Sequence, residues 1–125
     1  AETTVDLAGI ITRPVALPEP EVEEPYPTPV AALLQRAARR LAVVGWCRGA
    51  TRDEDGRMCL AGAVAAEDPT GSHVTTGLAV LLEAIRRHWP TAETVPNAND
   101  RLISGASAAV RLLDEAARIA DARGL

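Results

Sequence analysis

The spacing of its apolar residues constrains this chain more than any other feature. In three segments, apolar residues recur every three or four positions, which is the period of an amphipathic α-helix. The segments cover about residues 29–44, 72–89 and 104–123. A shorter stretch, Cys59–Glu67, has the same character. We therefore predict an all-α fold, a compact bundle of about four helices with Leu81 in its core.

Residues at the ends of these segments predict where the helices begin and end. Thr28 followed by Pro29 predicts a side-chain cap and a first turn, and Gly45 predicts the end of the first helix. Pro90 predicts the end of the third helix, and we expect a loop over Thr91–Asp100. The candidate caps of the third and last helices are Thr70 or Ser72, and Asp100 or Ser104.

The N-terminal segment differs from the rest of the chain in composition. Six prolines lie between positions 14 and 29, and each removes a backbone donor. Residues 1–27 carry six acidic residues and one arginine, whereas the remainder carries 12 arginines and 11 acidic residues. We therefore predict an extended, acidic, Pro-rich tail over residues 1–28 and a helical domain over residues 29–125. The apolar stretch Val5–Ile11 is expected either to dock on the body or a partner, or to be an unstructured leader.

Charge and hydropathy argue against two classes of partner. The nearly neutral body lacks the basic face that neutralises several phosphates, so we expect no nucleic-acid partner. No run of 18 apolar residues is present, and the start of the chain lacks the charged-then-apolar order of a signal peptide. We therefore expect a cytoplasmic protein without a membrane partner.

One segment, residues 45–64, differs from the helices on either side of it. It holds both cysteines, one of the two tryptophans and four of the nine glycines. Asp53–Gly56 predicts a turn, because aspartate caps a turn with its side chain and glycine adopts a positive φ. The turn lacks the remaining ligands of a calcium loop, so we expect it to be solvated. If the segment lines a pocket, the candidate ligand-binding residues are Trp46, Cys47, Arg48, Asp53, Asp55, Arg57 and Cys59.

The only soft metal ligands in the chain are two cysteines and two histidines. Cys47, Cys59, His73 and His88 are widely separated in sequence, and no two of them form the close pair typical of zinc sites. We expect no metal and no cofactor. The cysteines are expected to be buried, reduced and close together. A disulfide in an oxidising compartment, or a thiol nucleophile assisted by a histidine, are alternatives that the spacing leaves open.

The same segment carries a resemblance to a known family. Gly-Trp-Cys at 45–47 is followed by Arg-Asp-x-Asp-Gly-Arg at 52–57, then by Cys59, Gly-Ala at 62–63, and an Asn-Asp pair at 99–100. This order resembles a small domain of unknown function found in actinobacteria and their phages. The resemblance covers roughly residues 30–122. In that family Trp usually precedes the Asn-Asp pair, and here Ala98 stands in its place. The resemblance implies no activity, and it implies that the tail is peculiar to this protein.

Two hypotheses about function come from different classes. We favour a non-catalytic helical module that binds a protein partner through the tail or a helix groove, because no catalytic signature is present. The alternative is an enzyme or small-ligand binder whose pocket is formed by residues 46–59, since polar turns framed by helices often carry sites. A DNA-binding helix-turn-helix ranks third because the body is nearly neutral. Homo-oligomerisation is compatible with all three.

Overall fold

A computed structural model describes residues 24–125 of the chain. The apolar stretch at residues 5–11 therefore lies outside the described residues. The described part contains five helices and no strand, which confirms the predicted all-α fold. In chain order they are α1 Pro29–Val44, α2 Leu60–Ala66, α3 Val74–Arg86, α4 Val95–Arg101 and α5 Ala106–Ala122.

Helices α1 and α5 form the most extensive helix pair of the bundle. The backbone N–H of Val30 donates to the carbonyl of Leu125 at 2.6 Å, so the start of α1 lies against the end of α5 and the two helices are antiparallel. Helix α3 packs against both of them, while α2 contacts α1, α3 and α4. The short helices α2 and α4 therefore lie beside each other at one side of the long helices.

The core consists of aliphatic side chains from all five helices. Leu81 is fully buried in α3, as the sequence predicted, and it belongs to one cluster with Leu34 of α1 and Leu113 of α5. Alanines fill much of the remaining interior, among them Ala37 and Ala116, both without exposed surface. Small side chains allow the helix axes to approach closely, which compensates for the scarcity of aromatic residues.

The first helix has the predicted bounds but not the predicted cap. Thr28 occupies the N-cap position with an extended backbone, and its carbonyl accepts the N–H of Ala32 at 3.0 Å. Its hydroxyl makes no capping hydrogen bond and is buried without a partner among the described residues. The predicted side-chain cap was therefore wrong. The backbone and Pro29 start the helix. At the other end Gly45 has φ +93°, as expected of a glycine that ends a helix.

The predicted loop over Thr91–Asp100 was wrong, because most of it forms α4. The Thr94 hydroxyl accepts the N–H of Asn97 at 3.1 Å and caps this helix. The helix buries Val95, Ala98 and Asn99. The inner face of this helix carries two apolar residues and one polar residue. The sequence therefore shows no clear apolar periodicity there.

The predicted capping residues of α3 and α5 were also wrong. Helix α3 begins after His73, whose N–H donates to the Asp68 side chain at 2.7 Å. Helix α5 begins after Gly105 without a side-chain cap, and Asp100 lies inside α4. An earlier turn residue, Asp68, therefore binds the backbone at the start of α3, whereas α5 starts without a capping side chain.

The last residues of the predicted tail contact the helical domain. The Gln35 side chain of α1 accepts the N–H of Tyr26 at 3.0 Å and donates to the carbonyl of Glu24 at 3.1 Å. Tyr26 is half-buried against the core. Between residues 24 and 125, none of the helices is long and apolar enough to span a bilayer.

Candidate functional site

The central segment, residues 45–59, folds back on itself around Met58. The N–H of Met58 donates to the carbonyl of Gly45 at 3.0 Å, and the carbonyl of Met58 accepts the N–H of Cys47 at 3.0 Å. The chain reverses at the predicted turn, where Gly56 has φ +85° and its N–H donates to the carbonyl of Asp53 at 3.1 Å. The two ends of the segment are therefore brought together between α1 and α2.

Asn99 of α4 joins both ends of this segment to the bundle. Its side chain is fully buried, and its oxygen accepts the Trp46 indole N–H at 2.7 Å and the Leu60 backbone N–H at 3.0 Å. Its amide nitrogen donates to the carbonyl of Cys47 at 3.0 Å and to the Asp100 carboxylate at 3.1 Å. Since an amide has two donors and one acceptor oxygen, the hydrogen-bonding capacity of this side chain is used almost completely. We call this arrangement the Asn99 joint.

Asp100 and Arg48 extend the joint to the surface. The Asp100 carboxylate accepts the N–H of Gly49 at 2.9 Å. This hydrogen bond, and the one from Asn99, lower the pKa of Asp100 below its ordinary value. Arg48 donates to the carbonyl of Ile103 at 2.7 Å, and its guanidinium carbon lies 4.9 Å from the centre of a Trp46 ring. Arg48 therefore covers the indole by a cation–π contact.

Asp53, Asp55 and Arg57 form a separate cluster on the exposed turn. Arg57 Nε lies 2.6 Å from one Asp53 oxygen, and Arg57 Nη2 lies 3.3 Å from Asp55. The other Asp53 oxygen accepts the backbone N–H groups of Asp55 and Arg57 at 3.0 and 2.9 Å. Desolvation works to raise the pKa of Asp53, but the hydrogen bonds from Arg57 and the turn outweigh it and the pKa is lowered. These side chains hold the turn in shape.

The two cysteines are buried and form no disulfide, as predicted. Cys47 Sγ lies 3.3 Å from the carbonyl of Arg57 and 3.4 Å from that of Ala50, and it donates to them as a thiol. Cys59 Sγ accepts the N–H of Gly62 at 3.2 Å and caps α2. Burial, followed by the charges of Asp53 and Cys59, raises the pKa of Cys47 above its ordinary value.

The seven residues that the sequence singled out fall into three groups. Trp46, Cys47 and Arg48 contact α4 or the loop after it. Asp53, Asp55 and Arg57 pair with one another on the turn, and Cys59 caps α2. Their polar atoms bond mainly to one another and to the backbone. Within residues 24–125 no three His, Cys, Asp or Glu side chains are grouped as metal ligands would be.

A groove between the end of α3 and the face of α5 is a stronger candidate for binding. It has a volume of about 420 Å³ and is open along one side. A second depression of about 430 Å³ continues it toward the end of α5, and the two share Glu115 and Arg118. We call the pair the α3–α5 groove. Its main lining residues are His88, Trp89, Arg111, Leu112, Glu115, Arg118 and Ile119.

Ion pairs neutralise part of the α3–α5 groove. Glu115 accepts a hydrogen bond from His88 at 2.9 Å, and Arg123 donates to Glu83 at 2.6 Å. Arg111 and Arg118 are exposed, and neither makes an ion pair or hydrogen bond within the described residues 24–125. They lie two helical turns apart on the same face of α5, because seven residues correspond to about 10 Å along a helix. The groove therefore presents two available cations beside its apolar floor.

The comparison with known protein families identifies the chain. A model for a family of unknown function (DUF6197) matches residues 25–119. The chain belongs to this family. The match covers the Asn99 joint and most of the α3–α5 groove, and it supports the resemblance to a domain of unknown function. No curated protein and no solved structure matches the chain.

Little in the amino-acid sequence of this DUF6197 protein indicates the groove. Trp89 stands at the end of an apolar stripe, where it predicts burial in the core, yet it is only half-buried and lines the groove. Arg111 and Arg118 have the spacing of an ordinary solvated helix face. Each arginine directly precedes an apolar residue, Leu112 or Ile119, in the sequence. Only the packing of α3 against α5 makes the surface that carries these residues concave.

Proposed function

We propose that this DUF6197 protein is a non-catalytic interaction module whose α3–α5 groove binds an acidic segment of a protein partner. The observation that carries the proposal is the pair Arg111 and Arg118, exposed and without ion pairs in the described part of the chain, beside Trp89 and Leu112. Arginine and tryptophan are enriched at the energetic centres of protein interfaces, because both combine apolar area with directed polar groups.

The spacing of the two arginines defines the chemistry of the partner. A separation of about 10 Å matches two acidic residues seven apart on one face of a partner helix. An apolar side chain between those acids would lie over Trp89 and Leu112. Helix-in-groove recognition uses this arrangement of apolar anchors flanked by complementary charges.

The shape of the groove favours a peptide over a small metabolite. Small-molecule sites usually enclose most of the ligand surface, whereas the α3–α5 groove is open along one side. The alternative function, an enzyme or ligand binder using residues 46–59, has weaker support. The side chains of Trp46, Asp53 and Arg57 are already hydrogen-bonded within the protein, so few polar groups are left for a ligand.

A designed peptide tests the proposal directly. The probe is a 15-residue helical peptide with two glutamates seven positions apart and a leucine four positions after the first, titrated into the isotope-labelled full chain. We expect amide shifts that cluster around Trp89, Arg111 and Arg118, and an affinity that falls with added salt. Reversing both charges, with Arg111→Glu and Arg118→Glu together, should weaken binding about tenfold or more.

Arg39→Glu is the matched control, because Arg39 is an exposed arginine of α1 with no ion pair within residues 24–125. This control should bind the peptide nearly as the unaltered protein does. Equal affinity of the double variant and the unaltered chain, or shifts that cluster at residues 46–59, would refute the groove as the binding site. In the latter case the alternative site would replace it.

We further propose that the sequence signature marks the family because its residues build the Asn99 joint, and that members occur in actinobacteria and their phages. Trp46, Cys47 and Asn99 each contribute a backbone or side-chain contact there, and Cys59 directly precedes Leu60, whose N–H donates to Asn99. Comparing the sequences of other members would test both points. A cytoplasmic location is part of the same proposal, because in a reducing compartment the two buried thiols are free at rest and any disulfide between them is transient.

A further inference from the structure

The backbone register places Cys47 and Cys59 next to each other. Trp46 and Met58 form an isolated parallel bridge. The residues that directly follow them in the chain are the two cysteines. Cys59 still has an extended backbone, with φ −82° and ψ 173°, before α2 begins. The bridge itself is isolated, because the Asn99 side chain bonds to the Leu60 N–H and the Cys47 carbonyl where the next hydrogen bond of a ladder would form. The cysteines directly follow the bridged pair, so their side chains point to the same side of it.

The bridged residues that precede the cysteines have about the Cα–Cα separation that a disulfide needs. Paired strands lie about 4.8 Å apart, and the Cα atoms of disulfide-bonded cysteines lie roughly 4.4–6.8 Å apart. Burial is the largest cause of the raised pKa of Cys47, and the charges of Asp53 and Cys59 add to it, which agrees with a short distance between the two thiols. Residues 24–125 contain no group of three His, Cys, Asp or Glu side chains placed to hold a metal ion.

We propose that Cys47 and Cys59 form a reversible intramolecular disulfide, a modification site that closes the central segment covalently. The bond would tie the start of the segment, beside Trp46, to the start of α2. It is independent of peptide binding at the α3–α5 groove, because neither cysteine lines that groove.

The reaction requires a low-molecular-weight disulfide as oxidant. One cysteine thiolate attacks that disulfide, which forms a mixed disulfide and releases one small thiolate. The second cysteine thiolate then attacks the protein sulfur of the mixed disulfide, which forms the Cys47–Cys59 bond and releases the second small thiolate. The two cysteines are oxidised by two electrons, the small disulfide is reduced to two thiols, and the two cysteine protons end on those thiols.

The local hydrogen bonds indicate which thiol reacts first. Cys59 Sγ accepts an N–H from Gly62, a contact that a thiolate strengthens. Cys47 Sγ donates to the carbonyls of Ala50 and Arg57, contacts that require its proton. We therefore assign the first attack to Cys59 and the second to Cys47. Oxidation would remove the thiol proton that Cys47 shares with these two carbonyls, while the Arg57 carbonyl would still accept the N–H of Asp53.

The test is equilibration of the full chain with glutathione. The protein is unfolded in urea and refolded in buffers with a series of ratios of reduced to oxidised glutathione, so that burial does not limit access. Free thiols are then blocked with N-ethylmaleimide and the intact mass is measured. We expect a species lighter than the dithiol by two hydrogen atoms, which accepts no maleimide and is recovered as the dithiol by dithiothreitol.

Variants with a single cysteine distinguish disulfide formation from the packing of two unreactive thiols. Cys47→Ala should retain one glutathione on Cys59 under oxidising conditions, because the resolving thiol is missing, and Cys59→Ala should do so on Cys47. Glutathione on both cysteines of the unaltered chain, disulfide-linked dimers, or two free thiols at the most oxidising ratio would each overturn the proposal. None of these outcomes depends on whether the α3–α5 groove binds a peptide.

Discussion

The side-chain oxygen of Asn99 lies 2.7 Å from the indole nitrogen of Trp46, across 53 residues of sequence. The same oxygen accepts the N–H of Leu60, and the amide nitrogen donates to Cys47. One buried side chain thus satisfies backbone groups at both ends of the central segment. The position of that segment depends on α4, a helix of seven residues with a polar group on its inner face.

Removing the Asn99 side chain should be among the more costly single changes in this protein. Asn99→Ala leaves three buried groups without their partner, on Trp46, Cys47 and Leu60, and each unsatisfied group costs about 1–3 kcal/mol. We expect a loss of about 3–5 kcal/mol in the free energy of unfolding, measured by urea denaturation. Asn97→Ala is the control, because that side chain is exposed on the same helix. Similar losses for the two variants would contradict the assigned role of the joint.

The charge on Asp100 should make stability depend on pH in a defined direction. Its pKa is lowered in the folded protein, mainly by the N–H of Gly49. Ionised Asp100 therefore stabilises the fold above the unfolded pKa of about 3.9, and this contribution is lost as the pH falls through the lower folded pKa.

Asp100→Asn keeps the shape of the side chain and removes that charge. The stability gap between this variant and the unaltered protein should be widest near neutral pH and should close as the acid limit is approached. Urea denaturation of both proteins at a series of pH values measures it. Glu93→Gln, which removes an exposed charge from the loop before α4, controls for net charge. A stability difference that widens at low pH would mean that the charge on Asp100 does not stabilise the fold in the expected direction.

Leu81 tests the core directly. It is fully buried in α3, so Leu81→Ala removes three carbon atoms and leaves a cavity. We expect a loss of about 2–5 kcal/mol, measured as a lower midpoint of thermal unfolding. Val43→Ala is the matched surface control, since Val43 is 83% exposed. An unchanged midpoint for Leu81→Ala would place this residue outside the cooperative core.

Two truncations locate the boundary between tail and body. Deleting residues 1–23 should leave the cooperative unfolding transition of the body in place, because those residues carry many prolines and charges. Deleting residues 1–27 also removes Tyr26 and the two backbone groups bonded to Gln35. We expect this longer deletion to cost about 1–3 kcal/mol more. Equal thermal midpoints for both truncations would show that the Tyr26 contacts add no stability.

The cysteines should be slow to react with an alkylating agent in the native protein. Cys47 and Cys59 are only 8% and 7% exposed, and the raised pKa of Cys47 keeps its thiol protonated at neutral pH. Labelling with iodoacetamide should therefore be much faster in urea than in buffer, as followed by intact mass. Fast labelling of the folded chain would show that the segment opens readily.

The sequence by itself determined those features that are encoded locally. Helix α1 has the bounds that Pro29, Gly45 and the apolar period predicted, and Leu81 is buried as its place in the stripe of α3 required. The turn at Asp53–Gly56 also formed as predicted. Each of these depends on residues within one or two turns of each other, so the spacing of neighbouring side chains carries the information.

Only the tertiary structure decided the role of Asn99 and the existence of the α3–α5 groove. The hydrogen bonds of Asn99 join groups 39 to 53 residues apart, and a polar residue in a short helix has no periodic signal that distinguishes burial from exposure. The groove arises because α3 ends beside α5 and leaves part of its face uncovered. Distant partners and concave surfaces depend on how helices pack, and local spacing in the sequence does not encode that packing.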